Sequence, residues 1–167
     1  MLATTVYVLY KILRALFKLC YFAYRHCCRP GYDLMKRYGQ EDSYAVVTGG
    51  SEGIGFEICL QMAEKGFNIC MVARNEEKMK KRLDQIRERT QGNVKLMYVV
   101  ADFSEMPTVE DYSRILAPLK ELDVAMVFAN AGLMDIGPFT EASGKRMEQI
   151  IHINTFQPTF VVKVLLE

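Results

Sequence analysis

The chain has 167 residues, half of them hydrophobic and a quarter charged, which is enough for one domain with a sizeable core and too apolar for disorder. A net charge of +1 gives no global field of the kind that nucleic-acid binding uses, so no nucleic-acid partner is expected. Five cysteines without a CxxC pair or a histidine at ligand spacing argue against a disulfide framework and against a metal site, and suit a reducing compartment.

The near-neutral total hides an asymmetry. Residues 1–32 hold no Asp or Glu and carry Lys11, Arg14, Lys18, Arg25 and Arg29, a local charge of +5 that leaves −4 on the rest. On a helical wheel Lys11, Arg14, Lys18 and Arg25 fall within one sector about 60° wide, and the remaining circumference is apolar or aromatic. The longest uncharged run here is Met1–Tyr10, short of the roughly 18 apolar residues of a simple transmembrane helix. Residues 1–29 are therefore expected to form an amphipathic helix that meets a membrane through residues 1–28, its cations among phosphates and its Tyr and Phe in the acyl boundary. A helix packed on a protein partner, or a tilted span, is the alternative. The breaker Arg29-Pro30-Gly31 ends the helix, and residues 30–43 read as a polar linker.

Tyr44–Thr48 is a short β-branched run of the kind found in buried parallel strands. It leads into Gly49-Gly50-Ser51-Glu52-Gly53-Ile54-Gly55 and then a helical pattern ending at Gly66. Strand, glycine turn and helix in that order are what a dinucleotide site requires. Gly49 permits the tight turn, Gly53 a close approach to a pyrophosphate, and Gly55 close packing of helix on strand, while the helix N-terminus offers free N–H groups. A second strand, Asn68–Val72, completes the βαβ unit. An NAD-binding chain usually places Asp or Glu at its end to hold the ribose hydroxyls. Arg74 stands there instead, 19 residues after Gly55, and a guanidinium suits the 2′-phosphate of NADP(H).

Further along, Asn75–Thr90 reads as a charged helix and Val94–Val100 as a third strand ending at Ala101-Asp102-Phe103. Thr108–Leu119 reads as another helix, and Val124–Ala129 as a fourth strand leading into Asn130-Ala131-Gly132. This βαβαβαβ order predicts an α/β fold, a partial doubly wound Rossmann sheet with strand order 3-2-1-4 over residues 44–167. Cys59 and Cys70 read as small buried hydrophobes.

These residues resemble the short-chain dehydrogenase/reductase family. Thr48–Gly55 matches its TGxxxGIG signature, so Gly49, Ser51, Gly53, Ile54 and Gly55 are implied to face the cofactor. Asp102 matches the acid that meets the adenine, with Phe103 beside it, and Asn130-Ala131-Gly132 matches the NAG motif. Asn154 matches the helix Asn that helps position the catalytic lysine through water. The segment before Ala45, with Arg74, looks more specifically like the membrane-bound branch of 3-ketoacyl-CoA reductases and 17β-hydroxysteroid dehydrogenases. The resemblance implies NADP(H), a lipid-like ketone as substrate, and the endoplasmic reticulum, with the mitochondrial membrane as the alternative.

The family's chemistry also needs a Ser and a YxxxK pair, which lie beyond the Asn helix. The sequence ends at Glu167, and Tyr112 precedes the fourth strand, so Asn154 is the one supporting catalytic residue present. An incomplete sequence is expected ahead of a true half-protein. In either case the fourth-strand edge is expected to be covered by missing sequence, a second chain or a partner subunit. Three functional readings follow: a membrane-associated NADP(H)-dependent reductase, a non-catalytic reductase-fold subunit of a membrane complex, and an NADP(H) sensor. His152 and Lys163 read as helix-surface residues.

Overall fold

The computed structural model describes residues 2–29 and 31–166, and the chain divides into two units at Tyr32/Asp33. The first unit is a helix, α1 (Leu2–Ala23), prolonged by a π-helical turn over Tyr24–Cys28. No residue of α1 is buried. Aromatic side chains one turn apart cover one another along it: Phe17 lies 6.4 Å from Tyr21, and Phe22 lies 4.3 Å from His26. Lys11 sits over the ring of Tyr7 at 5.2 Å. Among the described residues no helix is long and apolar enough to cross a membrane, because Lys11, Arg14 and Lys18 interrupt the run.

The second unit begins with structure where the sequence suggested only a linker. Asp33 caps a short helix, α2 (Leu34–Tyr38), by accepting a 3.0 Å bond from the Lys36 amide. Leu34 and Met35 then pack on the core, so residues 33–43 are part of the globular unit. Two apolar neighbours after a capping acid were the missed signal.

Four parallel strands follow: β1 (Tyr44–Thr48), β2 (Asn68–Ala73), β3 (Leu96–Val100) and β4 (Val124–Phe128). They pair in the order β3-β2-β1-β4, as the alternation of strands and helices predicts. β2 is buried throughout and β1 from Ala45 onward, because helices cover both faces. Side-chain alternation splits the core into two layers. Ala45, Val47, Ile69 and Met71 face α3 (Gly53–Glu64) and α4 (Glu76–Arg89), together with Met62, Phe67, Met79 and Leu83. Val46, Cys70 and Val72 face the opposite side, with Tyr112, Leu116, Val161 and Val164.

The helix expected over Thr108–Leu119 is shorter. A capping box between Thr108 and Asp111 opens α5 (Val109–Ile115), which ends at Leu116 and gives way to a 3₁₀ turn over Ala117–Leu119. Pro118 causes the break, since it disfavours α conformation at the residue before it. The last helix is also interrupted: α6 (Gly144–Ile151) passes through a π-helical turn, His152–Phe156, into α7 (Gln157–Leu165).

Burial pushes the thiols of Cys59 and Cys70 up to about 12, whereas Cys20, Cys27 and Cys28 are exposed. A thiol-disulfide reagent at pH 8 is expected to label Cys20, Cys27 and Cys28 in the native protein and to reach Cys59 and Cys70 only after denaturant is added. Rapid native labelling of either buried thiol, read by mass spectrometry, contradicts this packing.

Candidate functional site

The carboxyl ends of β1, β2, β3 and β4 open onto one cleft of about 290 Å³. This is where a doubly wound sheet places its ligands. Its lining joins Gly49, Ser51, Arg74, Asp102, Phe103, Asn130, Ala131 and Gly132 from four separate segments of the chain. The sequence reading assigned these eight residues to one site.

The floor is built on Thr48, which is fully buried at the end of β1. Its hydroxyl accepts from the Ala131 amide at 3.0 Å and from Gln157 Nε2 at 3.0 Å, and donates to the Phe128 carbonyl at 3.4 Å. Asn130 adds a second tie, donating from Nδ2 to the Thr48 carbonyl at 3.1 Å and to that of Gly49 at 3.5 Å. The glycine turn, the exit of β4 and the start of α7 are thus held at fixed distances by the side chains of Thr48, Asn130 and Gln157.

Gly49 has φ +67° and Gly53 φ +51°, conformations that glycine adopts without strain. Gly55 is required by contact instead. A Cβ there would stand 2.3 Å from the Gly49 carbonyl oxygen and 2.5 Å from Asn130 Nδ2. The first turn of α3 therefore rests directly on the turn it follows. No side chain caps this helix, so the amides of its first turn remain available to an acceptor. Gly53, Ile54 and Gly55 lie in that turn rather than on the cleft wall, and Ile54 is 76% exposed.

Two acids border the cleft. Asp102 accepts from the Ser104 amide at 3.0 Å and from its hydroxyl at 2.7 Å, which opens a 3₁₀ turn under Phe103. Glu52, which the sequence reading did not single out, lines the same cleft and pairs with Lys78 on α4. The ammonium of Lys78 holds its carboxyl below the usual carboxylate range. Arg74 is exposed at the end of β2, and among the described residues it has no ion-pair partner.

Asn154 is placed elsewhere. It sits on the π-helical turn, where its carboxamide accepts from the Leu133 amide at 2.8 Å and donates to the Leu133 carbonyl at 2.7 Å. Both polar ends are thereby spent on fastening the segment after β4. Asn154 and Leu133 also line a larger, mainly apolar cavity of about 890 Å³ with Met134, Ile136, Phe139 and Ile151. Leu133 belongs to both spaces, so the cavity adjoins the cleft. Tyr112 is buried between Phe103 and Phe160, away from both, and burial raises its hydroxyl to about 12. His152 stacks on Phe156 at 5.4 Å. Among the described residues no cluster of His, Cys, Asp or Glu could hold a metal ion.

Residues 43–167 match the family model for short chain dehydrogenases. Among curated proteins, the very-long-chain 3-oxoacyl-CoA reductase of Coccidioides immitis is 37% identical over 144 residues, covering 85% of this chain and 38% of the relative. Its namesake in Pyricularia oryzae is 34% identical over 137 residues, covering 79% and 41%. The chain spans about 40% of the length of these relatives. Among solved structures, a 7β-hydroxysteroid dehydrogenase superposes with a TM-score of 0.69 at 27% identity, over 81% of this chain and 50% of that one.

Replacing Thr48 by Val keeps the shape and strands the Ala131 amide and the Gln157 side chain without their acceptor. The expected loss is at least about 2 kcal/mol of unfolding free energy, while Thr48→Ser retains most of it. Urea midpoints measure both, and equal midpoints for Thr48→Val and Thr48→Ser would refute the role of the hydroxyl.

Proposed function

The chain belongs to the short-chain dehydrogenase family, and on that premise we propose that it is the cofactor-binding half of a membrane-associated NADP(H)-dependent reductase of lipid-like ketones. The observation that carries the reading is convergence. Gly49, Ser51, Arg74, Asp102, Asn130 and Gly132 meet in one cleft whose neighbour is an apolar cavity.

The residues fit a dinucleotide. The amides at the start of α3, with Gly49 and Ser51, would take the pyrophosphate, and the contact at Gly55 shows the close packing this needs. Asp102 and Phe103 would face the adenine. Arg74 would take the 2′-phosphate in bidentate fashion. Asn130, Ala131 and Gly132 would floor the nicotinamide end. The bound cofactor supplies a hydride, and the residues of this chain supply position and charge.

The apolar cavity suits a long acyl or sterol chain better than a small polar substrate, since it offers Met134, Ile136, Phe139 and Ile151. Its connection through Leu133 would set a carbonyl near the nicotinamide end of the cleft. The 3-oxoacyl-CoA reductases named above support the same substrate class. Asn154 would act by holding Leu133 in place between cofactor and substrate. The half-exposed edge strand β4 would pair with a further strand, from additional sequence or a partner chain. Residues 2–28 would lie in the headgroup layer, most simply of the endoplasmic reticulum. Their exposed apolar surface and the cations Lys11, Arg14, Lys18 and Arg25 support that placement.

Two measurements test these points. Arg74→Asp is expected to weaken NADPH binding roughly 10- to 100-fold and NADH binding by less than about twofold. Equal losses for both cofactors in a fluorescence titration would remove Arg74 from the 2′-phosphate site. Sedimentation with vesicles should show binding to phosphatidylserine-containing membranes that falls with added salt. Lys11→Glu, Arg14→Glu, Lys18→Glu and Arg25→Glu combined should abolish it. Indifference to both changes refutes the lipid-surface reading.

A further inference from the structure

An acid in the nucleotide loop sits awkwardly with an anionic ligand. Glu52 lines the cleft beside Ser51 and Arg74, and its carboxylate pairs with the Lys78 ammonium. A phosphate arriving next to Arg74 therefore meets a negative charge as well as a positive one.

The surrounding cations differ in their freedom to respond. Arg82, one turn beyond Lys78 on α4, is fixed: it donates from Nε to the Ser51 carbonyl at 3.3 Å, lies over the Phe56 ring at 4.4 Å and bonds Gln85 at 2.9 Å. The backbone of Lys78 is fixed too, because its amide donates to the capping side chain of Asn75 at 2.9 Å. Among the described residues its ammonium is held by Glu52 alone, at the end of a flexible stem whose side chain is 55% exposed. The ammonium can therefore leave the carboxylate for a stronger anion while the fold stays as it is.

We propose that Glu52 and Lys78 form a selectivity switch for the cofactor, in which the carboxylate competes with the 2′-phosphate for the Lys78 ammonium. This rests on the NADP(H) reading above and adds to it a second cation and its competitor. With NADH there is no phosphate, and the Glu52–Lys78 pair stays closed. With NADPH the pair opens, Lys78 joins Arg74 on the phosphate, and the freed Glu52 carboxylate opposes binding. The pair thus sets how strongly the site prefers the phosphorylated cofactor, and Glu52 holds that preference below what Arg74 and Lys78 would give alone.

The test is a titration of the full-length protein with NADPH and NADH, in wild type, Glu52→Gln, Lys78→Met and the double variant. Glu52→Gln is expected to tighten NADPH binding about tenfold. Lys78→Met is expected to weaken it about tenfold, because Glu52 is left facing the phosphate without a partner. The double variant should return to within about threefold of wild type, and NADH affinity should shift by less than about twofold throughout. Unchanged or weakened NADPH binding in Glu52→Gln overturns the switch, as does a parallel change for NADH. A wild type that binds NADH as tightly as NADPH overturns the NADP(H) assignment instead, and binding of neither cofactor overturns both. Circular dichroism of each variant separates these outcomes from misfolding, and a variant that fails to fold shows the pair to be structural, which also overturns the switch.

Discussion

The buried hydroxyl of Thr48 is the joint on which the site depends. A hydroxyl has one proton to give and two lone pairs to share, and here all three are engaged. The partners come from the end of β4, from the residue after Asn130 and from the first residue of α7, segments up to 109 positions away in sequence. The hydrophobic layers of the sheet bring these segments near one another, but apolar packing is non-directional and cannot set their relative angles. The hydroxyl does so, and the carboxamide of Asn130 repeats the constraint from the other side. The cleft is an open space, and it persists because its floor is over-determined.

Order at the floor contrasts with charge at the rim. Glu52, Arg74 and Lys78 are all solvent-exposed, and screened pairs of this kind contribute little to folding. Their arrangement is therefore free to answer to the ligand. The division is physically sensible: bonds that must hold are buried, and bonds that must exchange are wet. The apolar cavity beside the cleft departs from that division, since the Asn154–Leu133 bonds that fasten its wall are themselves exposed, as are Met134, Ile136 and Phe139.

Much of this was legible from local pattern. Strand order followed from the alternation of apolar runs with helical periodicity. The glycine turn, Arg74, Asp102 and Asn130-Ala131-Gly132 were each placed at a strand end, and strand ends in a parallel sheet converge. What escaped notice depends on contacts between distant residues. Glu52 looks like any exposed acid until Lys78, 26 residues on, is seen to face it. Gln157 carries no local signal that its amide reaches Thr48. The sequence also concealed the short helix after Asp33 and the early end of α5, where a capping acid and a proline act over only a few residues. Asn154 was found by its motif, yet its bonds to Leu133 are visible only in three dimensions.

The π-helical turn at His152–Phe156 holds one more residue than an α-helical path over the same rise would need. Everything after it is consequently out of phase with everything before it. Removing a single residue from the turn would restore one continuous α-helix and rotate the following segment by about 100° relative to α6. Val161 and Val164 would swing off the sheet and Gln157 away from Thr48, although no side chain in the core had been changed. The length of this short stretch is therefore as much a constraint as the two side chains it must supply, the carboxamide of Asn154 to Leu133 and the buried Ile153 to the core.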